Sequence, residues 1–125
     1  MIVGVGIDVC SIERMRRAIE RHGDRFFSRI CSEEERVDLG QRDVATFLAG
    51  RFATKEAFAK ALDGAPGVGW HELRVRRAAS GRPNLELRGK ALDLARSAGA
   101  SRWHMSITHD GGVAAAVVVL EGSGS

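Results

Sequence analysis

The sequence predicts an α+β domain in which an antiparallel sheet packs against helices. Three observations lead there. Short apolar runs with strand character lie near both ends of the chain, at residues 2–7 and 113–120. Between them, residues 44–62 carry Phe47, Leu48, Phe52, Phe58 and Leu62 at three- and four-residue spacings among alanines, the pattern of one long helix. The order is strand, helices, then mostly strands with one helix among them, which lacks the regular alternation of a doubly wound parallel sheet.

The first strand, 2–7, ends at Asp8. Residues 12–27 then read as a helix with Ser11 as a possible cap, apolar Ile12, Met15, Ile19, Phe26 and Phe27 partly in register, and Gly23 as a weak point where it could split. A short helix is expected over 32–39, with acids in its first turn, where the helix dipole favours them. The long helix stops before Asp63-Gly64, and Gly67-Val68-Gly69 reads as a loop. Residues 71–77 show partial strand alternation, and the turn signal at 80–84 leads into a strand at 85–87. A helix over 89–98 precedes two last strands, 103–108 and 113–120, joined by a hairpin turn at Asp110-Gly111-Gly112.

Composition narrows the function classes. A chain of 125 residues has room for one modest core, placed here at residues 1–121 with a flexible tail at 122–125. Such a chain encloses a large cofactor poorly, so a site shared between subunits is expected. The net charge of +3 suits an anionic small molecule or an acidic protein partner, and falls short of a dedicated nucleic-acid binder. Cys10 and Cys31 have no metal-binding spacing and read as free thiols of a reducing compartment. No segment reads as a signal peptide or a membrane span, which predicts a cytoplasmic protein with no membrane partner.

Three constellations hold chemically useful groups. Asp8 closes an apolar strand, where a carboxylate serves either as a hard-metal ligand or as a turn or helix cap. On the long helix, Phe52, Glu56 and Lys60 line one face at steps of four. Glu56 with Lys60 reads as an exposed ion pair or as a ligand or base beside a phosphate-binding ammonium. The small alanines of this helix allow close packing on a sheet, which would bring Glu56 near Asp8. Third, His104, Ser106 and Thr108 share one face of a strand while Met105 and Ile107 point the other way. Structural hydrogen bonding accounts for any one of these three, and a functional face accounts for all together; His109 follows them. The chain lacks GxGxxG, Walker A, HExxH and GxSxG patterns.

Read together, Gly6-Ile7-Asp8-Val9, the run Phe-Leu-Ala-Gly-Arg-Phe-Ala-Thr-Lys-Glu-Ala-Phe-Ala-Lys-Ala at 47–61, Gly81-Arg82-Pro83 and the segment 104–109 resemble the holo-acyl-carrier-protein synthases, the small bacterial class of 4′-phosphopantetheinyl transferases. The resemblance runs over residues 2–121, and the central run is its most specific part. It implies the 4′-phosphopantetheinyl transferase-like fold and transfer of phosphopantetheine from coenzyme A to a serine hydroxyl of apo-acyl carrier protein, a step of fatty acid biosynthesis and lipid metabolism. Adenosine 3′,5′-bisphosphate is the other product. Asp8 and Glu56 match the family's magnesium ligands, and Lys60 matches its lysine near the diphosphate. His104, Ser106 and Thr108 fall on a strand that helps line the coenzyme A pocket, with Arg51, Gly64 and Pro83 as further pocket candidates. Arg14, Arg21 and Arg25 lie where the family holds the acidic carrier. The loop at 65–69 departs from the family's glycine-rich stretch.

The chemistry agrees with those assignments. Attack on the β-phosphorus builds negative charge, which magnesium and Lys60 stabilise most in the transition state. Glu56, directly or through a water on the metal, is the natural acceptor of the serine proton. The resemblance also implies a homotrimer with each active site at an interface. Two other functions fit less of the sequence. Another magnesium-dependent coenzyme A enzyme on this fold would bind coenzyme A but leave the carrier unmodified. A non-catalytic carrier-protein-binding module would need none of Asp8, Glu56 and Lys60.

Overall fold

Two glycines set how the chain folds. On β1 (Ile2–Ser11), Gly4 and Gly6 lie against the helix α4 (Val44–Ala61) so closely that a Cβ on Gly6 would overlap the Ala57 carbonyl oxygen, and one on Gly4 that of Ala61. Only glycine permits this approach. The computed structural model describes residues 1–123. Gly124 and Ser125 of the expected tail lie outside the described residues, while Gly122 is tied back: its N–H donates to the Met1 carbonyl at 2.7 Å.

The order of elements is β1, then α1 (Ile12–His22), α2 (Asp24–Ile30), α3 (Glu33–Arg36), α4, β2 (Leu73–Arg77), β3 (Pro83–Leu87), α5 (Gly89–Ser97), β4 (Arg102–Asp110) and β5 (Val113–Glu121). The sheet is antiparallel with β5 central, in the order β1-β5-β4. The β2–β3 hairpin pairs separately and reaches β4 through the Trp103 indole, which donates to the Leu85 carbonyl at 2.9 Å. The fold is thus the expected α+β arrangement of antiparallel strands and helices.

Several boundaries differ from the sequence reading for local reasons. The helix expected over 12–27 divides at Gly23, which has φ +68° and closes α1 by donating to Ile19. Ser11 caps α1 by accepting from Arg14 N–H. The helix expected over 32–39 keeps one turn, held by a Ser32–Glu35 capping box, and continues as turns. Strand character begins at Leu73, because Trp70–Glu72 forms a 3-10 turn. Gly111 and Gly112, both at positive φ, make the β4–β5 turn.

Helix α4 is buried nearly all round, with Leu48, Ala49, Ala53, Ala57 and Phe58 out of solvent. It divides the core in two. One half joins its C-terminal turns to β2, β3, α5 and the end of β5; the other joins its N-terminal turns to α1 and α2. Cys10 and Cys31 are free and buried, and burial pushes the Cys31 thiol up to about 12.

The opposite face of the sheet carries no helix among the described residues. Val5, Ile7 and Val9 are 59%, 62% and 59% exposed. They pair with Val119, Val117 and Ala115, which pair in turn with His104, Ser106 and Thr108.

Candidate active site

Asp8 has the same strand parity as Gly4, Gly6 and Cys10, so it faces α4. It does not close the strand: β1 runs on to Ser11, because β5 continues the ladder to Val113 opposite. The sheet therefore holds the Asp8 backbone on both sides of the carboxylate. Lys60, in the last turn of α4, donates to Asp8 Oδ1 at 2.7 Å. The Asp8 side chain is 15% exposed and that of Lys60 56%, so the pair sits at a protein–solvent boundary. Glu56 lies one helical turn before Lys60 on the same stripe and is half-buried. The close glycine–alanine packing of β1 on α4 is what lets a strand carboxylate reach a helix ammonium.

Among the described residues, no three His, Cys, Asp or Glu side chains gather closely enough to hold a metal by themselves. Gly64 lies in the loop one turn beyond Lys60, at φ +120°, and its N–H donates to the Ala59 carbonyl at 2.7 Å.

A second constellation lies beyond the other edge of the sheet. A cleft of about 450 Å³ is lined by Arg42, Arg51, Arg77, Pro83, Ile107 and His109, and by Asp43, whose carboxylate is paired with Arg16. Arg51 is buried with its guanidinium 3.7 Å from the centre of the Phe47 ring. Its Nε and Nη2, and the Nε of Arg77, have no hydrogen-bond partner among the described residues. Burial pushes the Arg51 guanidinium down to about 10, which leaves it charged at neutral pH. Buried charged donors without acceptors are uncommon in folded chains, and they suit an anion.

The polar face of β4 forms as the sequence reads, and His104 borders a depression with Pro83. His104, Ser106 and Thr108 do share one face, but it is the helix-free face of the sheet, and none of them lines the arginine cleft. His104 shares a hydrogen bond with Glu121 across the strands at 2.9 Å. His109 enters the cleft instead, because it has the parity of Met105 and Ile107. That period-2 signal was present in the sequence. Nothing comparable marked Arg42, in a turn, or Arg77, at a strand end.

Arg14 and Arg21 border one shallow depression on α1, and Arg25 borders the next with Phe26 and Arg29 of α2. Glu13 of the same helix pairs with Arg16 and Arg17, so these other arginines present positive charge outward.

A family model described as the 4′-phosphopantetheinyl transferase superfamily matches residues 4–118. The chain belongs to this superfamily. Within it, the chain is similar to the holo-[acyl-carrier-protein] synthase of Solidesulfovibrio magneticus, 50% identical over 124 residues that cover 98% of this chain and 100% of the relative. Among solved members, the holo-[acyl-carrier-protein] synthase of Neisseria meningitidis superposes with a TM-score of 0.87 at 33% identity, covering 97% of this chain and 99% of the other. The Helicobacter pylori holo-[acyl-carrier-protein] synthase in complex with coenzyme A gives 0.82 at 30% identity, covering 94% and 99%. The superfamily match thus spans β1 through most of β5, with Asp8, Glu56, Lys60 and the arginine cleft all inside it.

Proposed function

We propose that this chain transfers the 4′-phosphopantetheine group of coenzyme A to a serine hydroxyl of apo-acyl carrier protein, releasing adenosine 3′,5′-bisphosphate. The observation that carries the reading is the Asp8–Lys60 contact with Glu56 one turn away on the same helix face. Relatives that match nearly the whole chain bear the synthase name, and one solved relative holds coenzyme A.

The donor set fits magnesium. Asp8 and Glu56 offer only oxygen, and magnesium commonly takes one or two carboxylates, completing its shell with water and substrate phosphate. The Asp8 carboxylate pairs with the Lys60 ammonium at 2.7 Å, which supports a cation-holding role for it. Bound there, magnesium would neutralise charge on the diphosphate oxygens.

The chain's own groups divide the remaining work. The serine oxygen bonds to the β-phosphorus while the bond from that phosphorus to the bridging oxygen breaks. Glu56 accepts the serine proton. Lys60 donates to the departing phosphate, where charge grows as the bond breaks. Arg51, with its unpartnered donors, takes a phosphate of the nucleotide end beside Pro83 and His109.

Asp8 stands on one edge strand and the arginine cleft lies beyond the other. A single chain thus presents two half-sites, and we assign their union to a homotrimer in which neighbours meet through the helix-free sheet face. That face's contiguous valines and isoleucine suit burial against another copy. Two free buried thiols fit the reducing cytoplasm.

Intact mass of an apo-acyl carrier protein after incubation with this chain, coenzyme A and magnesium tests the reading. A gain of one phosphopantetheine, absent with chelator, is expected; no gain with several carriers would overturn it. Light scattering should give three times the chain mass. Arg14→Glu should weaken carrier use at least tenfold with coenzyme A binding unchanged, and equal losses would sink its docking role.

A further inference from the structure

Among the described residues, one edge of β2 has no strand partner, because β2 pairs only with β3. The backbone N–H groups of Val75 and Arg77 share that edge, since N–H direction alternates along a strand. Two acids from the segment before α4 serve them instead. Glu35 of α3 accepts from Val75 N–H at 2.9 Å, and Asp38, in the turn that follows α3, accepts from Arg77 N–H at 2.9 Å. The same Asp38 oxygen accepts from Arg76 Nε at 3.2 Å, and the Asp38 side chain is 14% exposed.

This tie joins two parts of the arginine cleft. Arg77 is the last residue of β2 and Arg42 lies four residues beyond Asp38, and both border the cleft. The chain from Asp38 to Arg42 is a run of turns: Asp38 N–H donates to the Glu35 carbonyl, Leu39 N–H to that of Arg36, and Arg42 N–H to that of Leu39. Asp43 then caps α4. Arg42 therefore sits between two anchored aspartates. On charge alone, an aspartate here opposes the binding of an anion. Burial draws the Arg51 guanidinium down, and the Asp38 charge is one of those that resist that pull. Geometry accounts for the acid where charge does not.

We propose that Asp38 is a positioning residue: by holding the end of β2 to the turn before α4, it sets Arg77 and Arg42 around one anion, the ribose phosphate of coenzyme A. This role rests on the transferase reading, in which the cleft takes a phosphate of the nucleotide end, and adds to it the group that arranges the arginines.

Two variants separate the tie from the charge. Asp38→Ala should bind adenosine 3′,5′-bisphosphate about tenfold more weakly, the worth of one charge-assisted hydrogen bond. KM for coenzyme A should rise alike with kcat kept, and KM for dephospho-coenzyme A, which lacks the ribose phosphate, should not move. Asp38→Asn loses the same charge but keeps an oxygen for the Arg77 N–H, so it should bind the bisphosphate at least as tightly as the unaltered protein. Equal losses of D38A with both coenzymes would mark a merely structural residue and overturn the proposal. Tighter binding by D38A, or a tenfold loss in D38N, would overturn it as well, because charge would then be what matters. If D38A fails to fold, D38N and hydrogen exchange at the Arg77 amide of the nucleotide-free protein decide. Protection is expected there, and exchange as fast as in an open loop would overturn the tie. Bisphosphate binding without transfer from coenzyme A would instead strike the transferase reading, and the titrations would still judge Asp38.

Discussion

Lys55 and Glu35 form an ion pair at 2.8 Å with neither side chain reaching solvent. The Glu35 carboxylate also accepts from Ser32 N–H and from Val75 N–H, so one buried acid joins α3, α4 and β2. Burial draws the Lys55 ammonium downward, and Glu35 opposes that pull. Removing one partner of such a pair leaves an uncompensated buried charge. Lys55→Met should therefore lower unfolding free energy by about 3–5 kcal/mol in urea titrations. A loss under about 1 kcal/mol, the scale of surface pairs, would mean that the pair is not buried in solution.

Gly6 makes a separate prediction about shape. Gly6→Ala places a Cβ on the Ala57 carbonyl oxygen, with backbone on both sides and no flexible side chain to yield. Destabilisation above about 2 kcal/mol is expected, with Lys60 displaced from Asp8 as β1 moves away. Thermal unfolding with a transfer assay checks both; a neutral substitution would show that the strand–helix gap is wider.

Asp43 caps α4, accepting from Thr46 N–H at 3.0 Å, and pairs with Arg16 at 3.1 Å. The Arg16 hydrogen bond, then the two from Thr46, hold its carboxyl at about 2, below the ordinary 3.8. The folded state thus favours the ionised form. Its contribution is fully present above about pH 4 and disappears as pH falls through 2. Both side chains are nearly half exposed, so solvent screening limits the charge effect to about 0.5–1 kcal/mol. Asp43→Asn should be less stable by that amount at neutral pH and indistinguishable near pH 2. A gap independent of pH would assign the effect to the cap alone.

Much of this architecture was legible in the sequence because it follows from periodicity. The alanine-rich run gave α4 nearly to the residue, and the valine run gave β5. Helix spacing put Glu56 and Lys60 on one face, the resemblance to the synthases grouped them with Asp8, and the structure joins Asp8 to Lys60 directly. Parity also carried information about His109 that its neighbours obscured. Other features had no local signal. Glu35 meets Lys55 across 20 residues and Val75 across 40, so no spacing rule exposes the pair. Asp8 appeared to end its strand because an aspartate is a poor strand former. Pairing with the alanines of β5 overrides that preference and carries β1 three residues further.

Glu56 is half-buried and accepts no hydrogen bond among the described residues, so exchange for the nearly isosteric amide leaves its packing in place. Glu56→Gln should retain the thermal midpoint within a degree or two yet lose at least about 100-fold in transfer rate, the usual worth of a positioned base. Near-normal turnover would remove Glu56 from the ligand and base roles together.

Under the proposed homotrimer, the placing of Asp8 on β1 and of the arginine cleft beside β4, the opposite edge strand, also has a genetic reading. Two alleles, one encoding Glu56→Gln and the other Arg51→Ala, would each be null alone. Expressed together, they should complement. Where an R51A copy supplies its carboxylates to an E56Q neighbour supplying its guanidinium, one junction contains no lesion. Random mixing in equal amounts restores about a quarter of the junctions. Growth of the double transformant, where neither single one survives, would reveal that arrangement without a purified protein.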